Sequence, residues 1–186
     1  MGTENNDAAC PECKKQQCEP LTDEDREKII KAAQRWAEAK TPYDAVLPAD
    51  GGHAGSGADI SKGADCAGSV WAIYGEAGFC YTYVSSRDIK SSVSFEKIEE
   101  KDVKKGDVVQ WDHVVVLKEN PETGKKRDVG PAGHASIYDN GSGDDMMVYS
   151  AHTVGKPFDH CYADSFDSGR ERNFFRFCKN KKGKCK

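Results

Sequence analysis

The chain has no apolar run near the roughly 18 residues that cross a bilayer, and its first thirty residues lack the apolar middle of a classical signal peptide. No membrane span and no classical secretory leader are therefore expected. Neither sign of charge dominates: 27 basic and 31 acidic residues give a formal net charge of −4. That balance makes no field suited to gripping a polyanion, which argues against nucleic acid as the main partner. Lys179, Lys181, Lys182, Lys184 and Lys186 gather around Cys185, and such a run reads as a solvated tail. Asn6 stands where a myristoylation signal after Met1-Gly2 needs Ser or Thr. Internal repeats and long low-complexity segments are also missing, and 186 residues suit one domain with a core of its own.

Cysteine is what the chain has in plenty, with eight residues. Setting aside Cys66, a candidate nucleophile, and Cys80, read as a buried thiol, six remain near the termini: Cys10, Cys13, Cys18, Cys161, Cys178 and Cys185. An even remainder suggests disulfides that staple the ends in an oxidising compartment. The rival reading is zinc, because Cys10-Pro11-Glu12-Cys13 has C-x-x-C spacing; no second close pair completes it, so neither a metal nor a cofactor is expected.

Residues 1–20 read as a polar, Cys-rich arm, residues 21–178 as the domain, and residues 179–186 as a basic tail. Thr22 can cap a helix whose first turn is acidic and in which Ile29, Ile30, Ala33, Trp36 and Ala37 recur at helical spacing to about Lys40. The stretch from Asp50 to Gly57 is so rich in glycine that it predicts an irregular loop beside the substrate cleft. A second helix follows from Cys66, with Val70, Ile73 and Tyr74 on its buried side. The second half reads as strands: Val108–Trp111 continuing through Val114–Leu117, a hairpin of Ala135–Tyr138 with Met147–His152, and Asn173–Phe177. Helices first and an antiparallel sheet after them make an α+β fold.

A cysteine opening a helix meets unpaired N–H groups and the positive end of the helix dipole, and a histidine opening a later strand can take its proton. Cys66 and His134 fill those places. The third residue, which orients the imidazole, depends on hairpin register. If Tyr138 pairs with Val148, His134 lies opposite His152 and Ser150 is a diagonal neighbour; His152 is the first choice and Ser150 the fallback. His113 also opens an apolar run but lacks the preceding glycine, so it ranks below His134.

These segments resemble the NlpC family of cell-wall peptidases, a circularly permuted papain-like group. The resemblance lies in Asp65-Cys66-Ala67-Gly68, where the family usually has Ser for Ala67; in Gly106-Asp107-Val108-Val109; in Gly133-His134-Ala135-Ser136-Ile137-Tyr138; and in Tyr43 ahead of the helix. It spans about residues 25 to 177. It implies N-terminal helices packed on an antiparallel sheet and a cysteine peptidase or amidase cutting peptidoglycan stem peptides, typically at the D-γ-glutamyl–diaminopimelate bond. Substrate-binding roles for Tyr43, Asp65 and Gly68 follow from the same motifs. In many members the third polar residue directly precedes Ala, which points to Ser150 before Ala151. Toxin domains delivered to rival cell walls by type VI secretion look similar, which implies secretion or delivery to the periplasm and an immunity-protein inhibitor. The alternative is a non-catalytic wall-binding or zinc-stabilised module on the same fold.

Overall fold

The computed structural model describes residues 17–121, 123–128, 133–152, 155–167 and 169–181. Cys10, Cys13 and Cys185, with most of the N-terminal arm and the basic tail, lie outside the described residues.

Helix α1 spans Asp23–Glu38. It starts where it does because Thr22 Oγ1 accepts from the Asp25 N–H while the Asp25 carboxylate accepts from the Thr22 N–H, a reciprocal cap. Its apolar stripe of Ile29, Ile30, Ala33 and Trp36 is buried. The Trp36 indole donates to Glu76 Oε1 at 2.8 Å, which ties α1 to the last residue of helix α2, Cys66–Glu76.

Strands β1 (Phe95–Ile98), β2 (Val108–Trp111), β5 (His134–Asn140), β6 (Met147–Ser150), β7 (Asp159–Tyr162) and β8 (Arg172–Phe177) form one antiparallel sheet in the order β1-β8-β2-β5-β6-β7, and β3 (Leu117–Glu119) pairs with β4 (Lys126–Asp128) apart from it. Both helices pack on one face, where Val108, Ala135, Ile137, Tyr149, Phe175 and Phe177 join Ile29, Trp36, Ile73 and Tyr74 in the main core. Val109, Trp111, Tyr138, Val148 and Phe174 point the other way into a second cluster closed by Met146, Ala163 and Phe166. The arrangement is the expected α+β one, with N-terminal helices on an antiparallel sheet.

The Gly106-Asp107 turn joins these layers. Gly106 has φ of 81°, a left-handed backbone that glycine adopts without strain. Asp107 is fully buried and accepts from Arg26 of α1 at 2.8 Å, from Arg176 of β8 at 2.9 Å and from the Lys104 N–H at 2.9 Å. One carboxylate thus holds helix, turn and sheet together.

Three sequence expectations need correction. The Val114–Leu117 run does not continue β2: the strand ends at Trp111, Val115 and Val116 are exposed on the segment that follows, and the exposed Leu117 opens β3 of the small β3–β4 hairpin. Cys161, expected in a bridge, is a free thiol. Cys80, expected to be a thiol, is disulfide-bonded. Cys18 and Cys178 are joined across 160 residues of sequence, which leaves neither sulfur available as a metal thiolate. Beside this bond the two ends of the described chain run together, with the Lys179 N–H donating to the Glu19 carbonyl at 2.8 Å.

Candidate active site

Cys66 is the first residue of α2, and Asp65 is the reason the helix begins there. Its Oδ1 accepts from the Gly68 N–H at 2.7 Å as an N-cap, and from the Gly55 N–H at 3.0 Å, which draws the glycine-rich loop against the first turn. Gly68 stands where no side chain fits, since a Cβ there would come within 2.5 Å of Asp65 Oδ1 and 2.6 Å of the Gly55 carbonyl. Asp65 and Gly68, both expected to bind substrate, hold the start of α2 and the glycine-rich loop together.

The Cys66 side chain is 9% exposed. The Ala135 and Ala67 N–H groups and the Ser86 hydroxyl act on the thiol, each favouring its charged form. Ala135 directly follows His134, and the strand they open packs against α2, the helix that Cys66 begins. Tyr43, bridged through its backbone to Ala64, lies beside the same site: burial pushes its phenol up to about 12, helped by the Cys66 and Asp65 charges. Tyr83 senses the same two charges.

His134 opens β5, opposite Trp111 of β2. Its Nε2 lies 2.7 Å from Ser150 Oγ and 3.2 Å from Ser136 Oγ, and the Ser136 hydroxyl donates to Ser150 Oγ at 2.8 Å. Phe166 stacks on the imidazole with centroids 4.0 Å apart, and the Trp111 ring stands 5.5 Å away. The Trp111 indole donates to Asp167 at 2.8 Å and Arg172 pairs with the same carboxylate at 2.7 Å, which fixes the segment that carries Phe166. Arg170 donates to the carbonyls of Phe166 and Asp167, and its charge acts on both Cys66 and His134.

The hairpin register is the expected one, with Tyr138 opposite Val148 and Ile137 opposite Tyr149. Carried three residues further, it would set His152 against His134. β6 ends at Ser150, however, and His152 turns its Nε2 to Asp159 Oδ1 at 2.7 Å. Of the two third-position candidates, the one that touches His134 is therefore Ser150.

Burial governs the charge state of the pair. It lowers the His134 imidazole to about 3, aided by the Arg170 and His152 charges. It raises the Cys66 thiol to about 11, aided by Asp65 and opposed by the Ala135 and Ala67 N–H groups and the Ser86 hydroxyl. At neutral pH both the thiol and the imidazole are therefore uncharged. The helix dipole and the first-turn N–H groups favour thiolate, but desolvation outweighs them here. The Ser150 hydroxyl bonds the ring without supplying a negative charge that would favour imidazolium.

Ser136, Phe166, Arg170 and Ser86 were missed by the sequence reading. Ser136 was within its reach, since the register that places Tyr138 against Val148 also places Ser136 against Ser150. Phe166 and Arg170 sit on the connection from β7 to β8, where no motif marks them. His53 lies apart, its Nδ1 bonded to Asp44 Oδ2 at 3.1 Å. His160 stacks on Tyr149 and pairs with Asp139. His113 lies on the segment leaving β2.

No family model matches the chain, and no curated protein matches it. Among solved structures, a Staphylococcus aureus subsp. aureus Mu50 protein described as similar to a lipoprotein of the NLP/P60 family superposes with a TM-score of 0.54. The match covers 88% of this chain and 44% of that one, at 19% identity. The chain spans less than half the length of that protein and shares its fold, an NlpC-type arrangement of helices on an antiparallel sheet.

Proposed function

We propose that the protein is a thiol hydrolase of amide bonds in peptidoglycan stem peptides, acting at the D-γ-glutamyl–diaminopimelate bond, with residues 21–178 as its catalytic unit. The observation that carries this reading is the placement of Cys66 at the start of α2, a helix packed on the strand that His134 opens, with His134 Nε2 on Ser150 Oγ at 2.7 Å. The fold shared with an NLP/P60 family protein supports the choice of substrate.

With its Nε2–H donated to Ser150 Oγ, His134 keeps Nδ1 as a base. Cys66 attacks the amide carbonyl while Nδ1 takes the thiol proton, and the N–H groups of the first turn of α2 receive the developing oxyanion. The imidazolium then protonates the departing amine, leaving an acyl-enzyme. Water, deprotonated by His134, releases the acyl group and restores the thiol. The Arg170 charge beside the thiol suits a peptide rich in carboxylates, and Tyr43 completes the wall of the cleft. A peptide substrate needs room that the resting pair, 9% and 6% exposed at Cys66 and His134, does not give; the loop at 50–57 and the Phe166 segment are the parts that must yield.

That closure is also what favours a second reading, a wall-binding module without turnover. Incubating the protein and its Cys66→Ala variant with bacterial sacculi, and identifying the soluble muropeptides by mass spectrometry, separates the two. Fragments released by the native chain alone, with new D-γ-glutamyl ends, are the expected outcome. Sacculi bound but left intact by both folded proteins would establish the binding module. A rival cell as the target, delivery by a secretion machine and an immunity protein rest on the sequence resemblance only and add nothing to the choice between these readings.

A further inference from the structure

At the open edge of the sheet, next to the catalytic pair but separate from it, three side chains of different donor chemistry converge. Asp159 and Cys161 are two residues apart on β7 and so project from the same face of the strand. Ser150, the last residue of β6, pairs with Asp159, and the chain leaving it carries the His152 ring over that end of β7. One imidazole nitrogen, one carboxylate oxygen and one sulfur thereby lie within 4.8 Å of one another, with His152 Nε2 and Asp159 Oδ1 at 2.7 Å.

All three residues are half-buried, so the cluster has protein on one side and access from solvent on the other. The Phe166 ring, 4.7 Å from the His152 ring, backs it on the protein side. Cys161 keeps its thiol in a chain where Cys18, Cys80 and Cys178 are all oxidised. A half-exposed thiol that forms no bridge, held beside an imidazole and a carboxylate, is what a ligand set looks like. Hard cations such as Ca²⁺ and Mg²⁺ call for oxygen alone, whereas mixed nitrogen, oxygen and sulfur donors suit a borderline ion. Three protein ligands with bonds of about 2.0–2.3 Å, and a fourth position left open, is a recurrent zinc arrangement.

We infer that His152, Asp159 and Cys161 form a binding site for one Zn²⁺ ion. Asp159 and His152 separate slightly to admit the ion, which replaces their direct hydrogen bond, and Cys161 binds as thiolate with release of its proton. The site is independent of the hydrolase reading, because none of its ligands is Cys66 or His134. His134 and His152 lie against the same Phe166 ring, so occupancy also pins the ring that packs on the catalytic imidazole.

Cobalt supplies the test, since Co²⁺ reports its ligands by colour. Chelator-treated, dialysed protein with its disulfides intact is titrated with CoCl₂ and followed by absorption, then back-titrated with ZnCl₂. One equivalent of Co²⁺ is expected to give tetrahedral visible bands and a near-ultraviolet sulfur-to-metal band, both erased by Zn²⁺. The spectrum should persist in Cys66→Ala, lose the sulfur band in Cys161→Ser, and require at least tenfold more cobalt in His152→Ala. Circular dichroism checks that each variant is folded, and the isosteric Asp159→Asn, expected to weaken binding at least tenfold, decides should Cys161→Ser fail to fold. A sulfur band that survives in Cys161→Ser, a band lost in Cys66→Ala, or none at millimolar Co²⁺ would each overturn the inference.

Discussion

On the proposed function, the contact between His134 Nε2 and Ser150 Oγ at 2.7 Å, against that of His152 with Asp159, gives the orienting role to the serine. Ser150→Ala removes the partner that fixes which imidazole nitrogen faces the thiol. Its kcat on a stem-peptide substrate should fall about tenfold to a hundredfold, the scale of a misplaced catalytic group, with KM little changed. His152→Ala in metal-free protein should lose less than Ser150→Ala, and steady-state kinetics of the two side by side checks the order. The same neighbourhood sets a pH signature. Because burial holds the Cys66 thiol near 11, the thiolate fraction climbs with pH through the whole neutral range. Iodoacetamide labelling of Cys66, separated from Cys161 by peptide mapping, should therefore accelerate about tenfold per pH unit between pH 7 and pH 10. A rate that is flat from pH 5 to pH 8 would instead reveal a preformed thiolate–imidazolium pair.

Elements differ in how plainly the sequence announces them, and the reasons are physical. Helix α1 was readable because cap, acidic first turn and apolar stripe agree. The β5–β6 register was readable because the glycines and Asn140 fix the turn and one slip would turn Ile137 away from the core. β7 was not: an edge strand with partly exposed residues has little hydrophobic patterning to show. β1, with only Phe95 firmly buried, is equally quiet. The valines at 114–116 mislead in the other direction, since β-propensity describes fitness for a packed sheet and no sheet covers them. As for the site, Cys66 and His134 could be picked out because each opens its element. The choice between Ser150 and His152 hung on where β6 stops, which no spacing rule states. The Gly106-Asp107 turn was legible as a motif, but not as the joint between α1, β2 and β8. Asp107→Asn keeps the shape and removes the charge, leaving Arg26 buried at 5% side-chain exposure without its counter-ion. Breaking a buried pair in this way costs about 3–5 kcal/mol, and urea denaturation of native and variant protein should show a loss of that size.

On the scale of the whole molecule, the Cys18–Cys178 bond encloses nearly the entire described chain. Closing a loop of that length removes unfolded-chain entropy worth roughly 5 kcal/mol in the chain-entropy view, and native bridges in practice contribute about 2–5 kcal/mol. The double variant Cys18→Ser, Cys178→Ser should therefore unfold at a clearly lower denaturant midpoint by about that margin, while keeping the Cys66–His134 geometry and hence its kcat under native conditions. A midpoint unchanged by the double substitution would show that the residues packed beside the bond, Glu19 against Lys179 among them, hold the ends without it. The same closure has a mechanical side. Tension applied between a point before Cys18 and a point after Cys178 runs through the sulfur–sulfur bond and never reaches the β-sheet. Held by its two ends, the domain would behave as an inextensible link, with Cys66 and His134 outside the path of the load.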